Sequence, residues 1–157
     1  MSGQLEYWHT SSRSEAQTER LGELVGHNLK GGEIIELVSD LGGGKTAFTR
    51  GLARGMGSKD HVASPTFTIA REYHSGKRTL YHFDFYRLQE PGIMTDELAE
   101  VIRDPNAVIA VEWSDIVQHV LPKKRLTLAL TLTGDTERDL KFSYPPELDY
   151  LIPKELA

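Results

Sequence analysis

Cysteine is absent from the 157-residue chain, which excludes disulfide bonds and thiolate ligands for zinc. Long apolar runs are also absent, because no stretch approaches the roughly 18 residues that a membrane-spanning helix needs. The N-terminal segment MSGQLEYWHT has neither the basic start nor the apolar stretch of a secretory signal. We therefore expect a cytoplasmic protein that makes no contact with a membrane.

Basic residues are outnumbered, since 18 Lys and Arg face 23 Asp and Glu, for a net charge of −5 at pH 7. Direct binding of nucleic acid needs a basic surface that contacts phosphates, so this chain is a poor candidate for holding RNA by itself. If it acts in an RNA pathway, we expect it to do so through another protein. No repeat, and no linker rich in Pro, Gly or Ser, divides the chain, so residues 1–157 are interpreted as one domain.

Apolar periodicity predicts strands and helices that alternate early in the chain, with strands dominating later. Ser14 is a candidate N-cap for the first helix, and Gly31-Gly32 would follow its end. The predicted helices cover about 14–29, 45–56, 94–102 and 114–121. The predicted strands cover about 5–8, 33–38, 67–73, 79–85, 107–113, 125–132 and 139–144. This order favours an α/β sandwich with an antiparallel extension.

The segment SDLGGGKT, residues 39–46, joins a predicted strand to a predicted helix. It fits the phosphate-binding pattern G-x-x-x-x-G-K-[ST] except at its first position, where Ser39 replaces glycine. Glycines would let phosphate oxygens approach the main chain, whose N–H groups and helix dipole favour anions. Lys45 would contact the β- and γ-phosphates, and the Thr46 hydroxyl would bind Mg²⁺. The nucleotide-binding residues predicted here are Asp40, Leu41, Gly42, Gly43, Gly44, Lys45, Thr46 and Ala47.

Ser39 bears on the strength of this prediction. If its position needs a left-handed backbone, a non-glycine residue there costs roughly 1–2 kcal/mol. Such a cost would weaken nucleotide binding without abolishing it. The alternative interpretation of the whole segment is a plain glycine-rich turn.

Two acids end predicted strands of the same sheet. Asp84 follows LYHF, and Glu112 closes AVIAV, a continuous apolar strand of the kind found in parallel sheets. Nucleotide sites form at the carboxyl ends of such strands, where a carboxylate can hold a metal ion or orient the attacking water. The alternatives are a solvated acid at Asp84 and a Glu112 paired with an arginine. Trp113 and His82 are interpreted as structural residues.

A phosphate-binding loop alone does not distinguish kinases, GTPases and ATPases. The chain has no Asn-Lys-x-Asp segment for reading guanine, and it has no cluster of arginines typical of a kinase lid. Four segments in order resemble the signatures of the TsaE family, also called YjeE: DLGGGKTAFTRGLARGMG, SPTFTIAREY, LYHFDFYRL and AVIAVEWSD. The resemblance extends over most of the chain, from Ser14 to Leu140.

The resemblance implies a P-loop NTPase-like three-layer α/β sandwich with a mixed, mainly parallel sheet and an antiparallel C-terminal extension. It implies an ATPase that uses ATP and Mg²⁺ and is required for making threonylcarbamoyladenosine in bacterial tRNA. Its partners would be TsaB and TsaD homologues, whose complex it would remodel or reset, and tRNA would be contacted only indirectly through them.

The resemblance also assigns residues. The implied catalytic residues are Lys45, Thr66, Asp84 and Glu112. The implied metal ligands are Thr46, Glu112 and Asp84, with the division between base and metal ligand left open for the two acids. The residues expected to border the nucleotide base are Ser14, Glu15 and Arg138.

Ser39, Gly43 and Ser114 depart from the family pattern, which usually has Gly, Ala and Pro at these positions. Two alternative functions therefore stay open. A small-molecule kinase with the same loop would phosphorylate an added acceptor rather than water. A nucleotide-dependent binding module would bind ATP without significant turnover.

Overall fold

The computed structural model describes residues 4–39, 44–60, 70–85 and 92–154. Its strands are β1 (Glu6–Ser12), β2 (Ile34–Val38), β3 (Ala70–Ser75), β4 (Arg78–Asp84), β5 (Ala107–Glu112), β6 (Leu126–Leu132) and β7 (Arg138–Tyr144). Its α-helices are α1 (Glu15–Asn28), α2 (Lys45–Gly55) and α3 (Gly92–Ile102). Two 3₁₀ helices cover Ser114–Val117 and Pro146–Leu151. None of the helices in these ranges is long and apolar enough to cross a membrane.

The described strands form one seven-stranded sheet in the order β1-β7-β6-β2-β5-β4-β3. The central strands β6, β2, β5 and β4 are mutually parallel, whereas β3 pairs antiparallel with β4, and β7 pairs antiparallel with β6 and β1. The prediction of a mixed, mainly parallel sheet with an antiparallel C-terminal extension is confirmed. Because the central strands run the same way, their carboxyl ends meet at one edge of the sheet.

Helices cover both faces of the sheet, which gives the predicted three-layer sandwich. On one face, apolar side chains of α1 and α2, including Val25, Phe48 and Leu52, pack with those of the sheet. On the other face, Leu98 of α3 and Val117 pack against side chains of β2, β4 and β5. All residues of β5 are buried, because the strand has a neighbour on each side and a layer on each face.

Helices α1 and α2 approach each other closely at four glycines. A Cβ atom added to Gly22, Gly26, Gly51 or Gly55 would lie 2.0–2.3 Å from a main-chain oxygen of the facing helix. Only glycine fits such backbone contact. The contact holds α2, and with it the residues at its N-terminus, against the rest of the molecule.

Most element boundaries agree with the sequence predictions within a few residues. Ser14 is the N-cap of α1, and its hydroxyl accepts a hydrogen bond from the N–H of Gln17 at 3.1 Å. Strand β1 is longer than predicted because it pairs with β7 all the way to Ser12. Residues 67–69 of a predicted strand lie outside the described residues.

The predicted helix 114–121 is wrong in type and length, since only a short 3₁₀ helix over Ser114–Val117 forms there. Trp113, which precedes it, has φ 56° and ψ 53°, a left-handed conformation that no helix N-cap rule anticipates. Ser114 and Gln118 of this turn instead donate side-chain hydrogen bonds to Glu36, which lies on the distant strand β2. Local periodicity contains no information about that contact.

Candidate functional site

The carboxyl end of β2 leads through the glycine-rich segment into α2. Gly44 is the N-cap of α2 and has φ 101°, a conformation that favours glycine. The first N–H groups of α2 have no acceptor within the helix, so they can bind an anion at the helix N-terminus. The predicted residues Asp40, Leu41, Gly42 and Gly43, and the predicted Thr66, lie outside the described residues.

Ser39 lacks the strain that the sequence raised as a concern. Among the non-glycine residues that the structure describes, Trp113 is the one with a positive φ. Ser39 is among the described residues, so its backbone is not left-handed. The conditional cost of 1–2 kcal/mol for a left-handed serine therefore does not apply.

Lys45 lies at the start of α2 with its side chain almost fully buried. Its ammonium group donates a hydrogen bond to the main-chain oxygen of Ser39 at 3.0 Å. Its Nζ atom also lies 3.8 Å from Oε1 of Glu112 and 4.5 Å from the centroid of the Trp113 ring. A buried ammonium needs such partners, because an unpaired charge there would be strongly destabilising. Lys45 thus connects the glycine-rich segment with the end of β5.

Glu112 ends β5 and is 4% exposed. Besides its contact with Lys45, its Oε2 atom accepts a hydrogen bond from Nε2 of His82, which is completely buried on β4. Among the residues that the structure describes, the partners of Glu112 are Lys45 and His82 rather than the arginine of the alternative interpretation. His82 does more than fill the core, because it holds the carboxylate that faces Lys45.

Asp84 is the last residue of β4, and its register partner on β5 is Glu112. Register partners on adjacent parallel strands project to the same face, so the two predicted acids end neighbouring strands side by side. Asp84 is half-buried. The sequence placed both acids at strand ends, and the pairing of β4 with β5 brings those ends together.

The donor set at this edge fits Mg²⁺. The Thr46 hydroxyl belongs to the first turn of α2, directly after Lys45, and the two carboxylates lie at the adjacent strand ends. Mg²⁺ in nucleotide sites usually takes one or two carboxylates and completes its shell with water and phosphate oxygens. Within the described residues, no group of three His, Asp or Glu side chains is arranged to hold a metal ion by itself. Nucleotide oxygens would therefore have to supply part of the shell.

Arg138 approaches the loop from β7. Its Nε atom lies 3.7 Å from the point where a Cβ atom on Gly44 would stand, and its Nη1 donates to the main-chain oxygen of Glu137 at 2.9 Å. Ser14 and Glu15 lie at the start of α1, where Ser14 caps the helix and Glu15 pairs with Arg50 at 3.2 Å. Of the three residues predicted to border the base, Arg138 is the one that these contacts connect with Gly44.

Glu36, a buried acid in the middle of β2, is not among the residues predicted from the sequence. Its Oε2 atom accepts hydrogen bonds from the Ser114 hydroxyl and from Gln118 Nε2, the latter at 2.5 Å. Its Oε1 atom accepts from Arg125 Nε and from the Thr127 hydroxyl, both at 3.1 Å. Burial alone would raise the pKa of Glu36, but the hydrogen bonds and the Arg125 charge outweigh it and hold that pKa below its usual value.

A cavity of about 420 Å³ opens at the same edge of the sheet. It is bordered by the ends of β2 and β6 and by the turn after β5, including Ser39, Trp113, Asp115 and Thr131. Trp113 therefore borders the cavity and also contacts Lys45.

The β2 sequence IIELV contains the signal that could have indicated Glu36. An acid inside an apolar strand needs buried partners.

A central parallel sheet, a strand that runs into a glycine-rich segment, and a helix that begins at Lys45-Thr46 together define a P-loop NTPase-like fold. The crystal structure of Bacillus subtilis YdiB is similar to this one, with a TM-score of 0.78 and 31% sequence identity, covering 99% of this chain and 97% of that chain.

The sequence comparisons define the family. The profile described as "Threonylcarbamoyl adenosine biosynthesis protein TsaE" matches residues 12–140. The tRNA threonylcarbamoyladenosine biosynthesis protein TsaE of Bacillus subtilis is 37% identical over 140 residues, which cover 87% of this chain and 84% of that protein. The protein of the same name from Treponema pallidum is 38% identical over 129 residues, covering 82% and 95%. The chain belongs to the TsaE family.

Proposed function

We propose that this chain binds ATP with Mg²⁺, hydrolyses the γ-phosphate, and thereby supports the formation of threonylcarbamoyladenosine in tRNA. The observation that carries the proposal is the contact between Lys45 and Glu112 beneath the N-terminus of α2. Membership of the TsaE family supports the proposal, because the similar proteins are named for tRNA threonylcarbamoyladenosine biosynthesis. Family membership does not specify the nucleotide or the reaction, which we infer from the side chains.

The chain's own groups suit a triphosphate. The amides at the start of α2 would bind phosphate oxygens, and Lys45 would exchange the Ser39 carbonyl for a β- or γ-phosphate oxygen. Thr46 and one of the two acids would hold Mg²⁺, which neutralises charge on the phosphates. The other acid would orient the attacking water. His82 would keep Glu112 in place through its hydrogen bond.

We expect hydrolysis by the chain alone to be weak. Arg50 and Arg54, the arginines that follow the loop, are held in ion pairs with Glu19 of α1 at 3.3 and 3.0 Å. They are therefore engaged on the α1–α2 surface, where neither would serve the γ-phosphate. Stimulation by TsaB and TsaD homologues is part of the proposal, as is remodelling or resetting of their complex. The net charge of −5 agrees with partners, rather than this chain, holding the tRNA.

The test begins with Lys45→Ala. Removing a charged hydrogen-bond donor costs about 1.5–3 kcal/mol, so ATP binding measured by calorimetry should weaken roughly tenfold or more. The matched control is Lys77→Ala, because Lys77 is exposed in the turn between β3 and β4. A Lys45→Ala chain that binds ATP as tightly as the parent would refute the assignment of the site.

Phosphate release to water, measured with and without a purified TsaB–TsaD complex, tests the proposed hydrolysis and its stimulation by the partners. Faster release on addition of the complex is the expected result. Unchanged release would contradict the partner hypothesis. Phosphorylation of an added acceptor in place of release would indicate a kinase, and ATP binding without release would indicate a binding module.

A further inference from the structure

The hydrogen bonds of Glu36 divide into two pairs that face different elements. Oε1 is bonded to Arg125, which directly precedes β6, and to Thr127, the second residue of β6. Oε2 is bonded to Ser114 and Gln118, which belong to the turn that follows β5. Gln118 also donates to the Ser114 hydroxyl at 2.9 Å, so these two residues and Oε2 form a closed triangle. The triangle ties the turn after β5 to the middle of β2.

The turn that this triangle holds contains the left-handed Trp113. A bulky side chain rarely adopts a positive φ, and such a residue persists only where the surrounding structure imposes it. Ser114, the next residue, is 5% exposed and its hydroxyl is bonded to Glu36. The Ser114–Glu36 hydrogen bond, at the residue directly after Trp113, is one constraint that fixes the chain at this point.

The left-handed turn has a consequence at Lys45. It directs the Trp113 ring toward the Lys45 ammonium, 4.5 Å from the ring centroid, within the range of a cation–π contact. It also comes directly after Glu112, whose Oε1 atom lies 3.8 Å from the same ammonium nitrogen. The orientation of the Trp113 ring toward Lys45 thus depends on the path of the chain from Glu112 to Ser114, whereas His82 holds the Glu112 carboxylate.

We propose that Glu36 is a positioning residue for the phosphate site: through Ser114 and Gln118 it fixes the turn at Trp113, and that turn holds the indole against Lys45. The inference rests on the proposed nucleotide site for its functional meaning. The positioning itself is a property of the unliganded chain and can be measured without any nucleotide.

The experiment uses the full chain with Trp8→Phe, which leaves Trp113 as the sole tryptophan, since the sequence contains two. Ser114→Ala removes the hydroxyl that contacts Glu36, and Ser114→Thr restores a hydroxyl. Thr127→Val is the matched control, because it removes a hydroxyl that contacts Glu36 on the β6 side, away from Trp113. Gln118→Ala removes the second contact from an exposed position, together with the hydrogen bond that Gln118 Oε1 accepts from Arg125 Nη2 at 2.9 Å.

The first measurement is the accessibility of Trp113 to acrylamide, together with its emission maximum, without nucleotide. Ser114→Ala should raise the quenching constant and shift emission to longer wavelength, and Gln118→Ala should do so to a smaller extent. Ser114→Thr and Thr127→Val should resemble the Trp8→Phe parent. Parental quenching in Ser114→Ala would overturn the proposal. If circular dichroism shows that Ser114→Ala is unfolded, Gln118→Ala decides by the same criterion.

The second measurement is ATP affinity by calorimetry in the presence of Mg²⁺. Ser114→Ala should weaken binding about threefold to tenfold relative to the Trp8→Phe parent, whereas Thr127→Val should stay within about twofold. Equal weakening by both would overturn the positioning role, because general loosening of the Glu36 cluster would then be sufficient. If the parent does not bind ATP, the proposed function fails, and the quenching data alone decide the positioning of Trp113.

Discussion

Replacing Gly51 by alanine tests the packing that holds α2, and the structure determines the expected sign. A Cβ atom at Gly51 would lie 2.0 Å from the main-chain oxygen of Glu19 and 2.7 Å from the main-chain nitrogen of Glu23. Ordinary contacts of a Cβ atom begin at 3.4 Å. Both neighbours belong to the backbone of α1, so no side-chain rotation relieves the clash. The two helices would have to separate by more than about one ångström.

The energetic terms oppose each other, and their sizes decide the outcome. Alanine in a helix interior is favoured over glycine by about 1 kcal/mol when nothing else changes. Overpacking of a close contact costs about 1–3 kcal/mol, and sometimes more. Separation would also open the packing around Phe48 and Leu52, which are both completely buried. We therefore expect Gly51→Ala to lower the free energy of unfolding by about 1–3 kcal/mol, although alanine has the higher helix propensity.

Urea unfolding of the full chain, followed by circular dichroism, measures this change. Gly134→Ala is the matched control, because its Cβ atom would lie 3.5 Å from the Glu137 side chain, an ordinary contact. That control should change the free energy of unfolding by less than about 0.5 kcal/mol. Gly51→Ala that is as stable as the parent, or more stable, would refute the close approach of α1 and α2.

Two further predictions concern the acid in β2 and the first turn of α2. Glu36→Gln should lower the free energy of unfolding by about 1.5–3 kcal/mol at pH 7, because its hydrogen bonds involve a charged acceptor. Since the folded-state pKa of Glu36 lies below its usual 4.5, the carboxylate's contribution is fully present above pH 4.5 and is lost as the pH falls through the lowered pKa. Urea unfolding of both chains at several pH values should show the difference narrowing below pH 4.5, and a constant difference would contradict the assignment. Thr46→Val should remove most of the Mg²⁺ dependence of ATP affinity measured by calorimetry, and retention of the full Mg²⁺ effect would show that the hydroxyl is not a ligand.

Much of the fold could be predicted because its signals are local. The apolar run of β5, the N-cap Ser14 and the apolar face of α1 each involve residues close in sequence. The segment after β5 differs, since a helix predicted over residues 114–121 is a short 3₁₀ helix over Ser114–Val117. Ser114 is hydrogen-bonded there to Glu36, which lies 78 residues away in sequence.

The candidate site divides in the same way. The position of Lys45 and Thr46 at the start of α2 could be predicted because a phosphate-binding loop is a contiguous motif between a strand and a helix, and their roles toward a nucleotide stay predictions. The contact of His82 with Glu112 could not be predicted, because the position of His82 in the alternating pattern of β4 is equally typical of a core residue. Its partner Glu112 lies 30 residues away, and only the pairing of β4 with β5 brings the two together.

The amino-acid sequence by itself determined the order of helices and strands, the start of α2 at Lys45, and the two acids at strand ends, because hydrophobic periodicity, capping and motif spacing act over a few neighbouring residues. Only the tertiary structure decided which side chains meet around Lys45: Glu112 held by His82, and Trp113 turned by the Ser114–Glu36 hydrogen bond. The physical reason is that strand register and burial set these contacts. A buried charge must find its partner in space, wherever that partner lies along the chain.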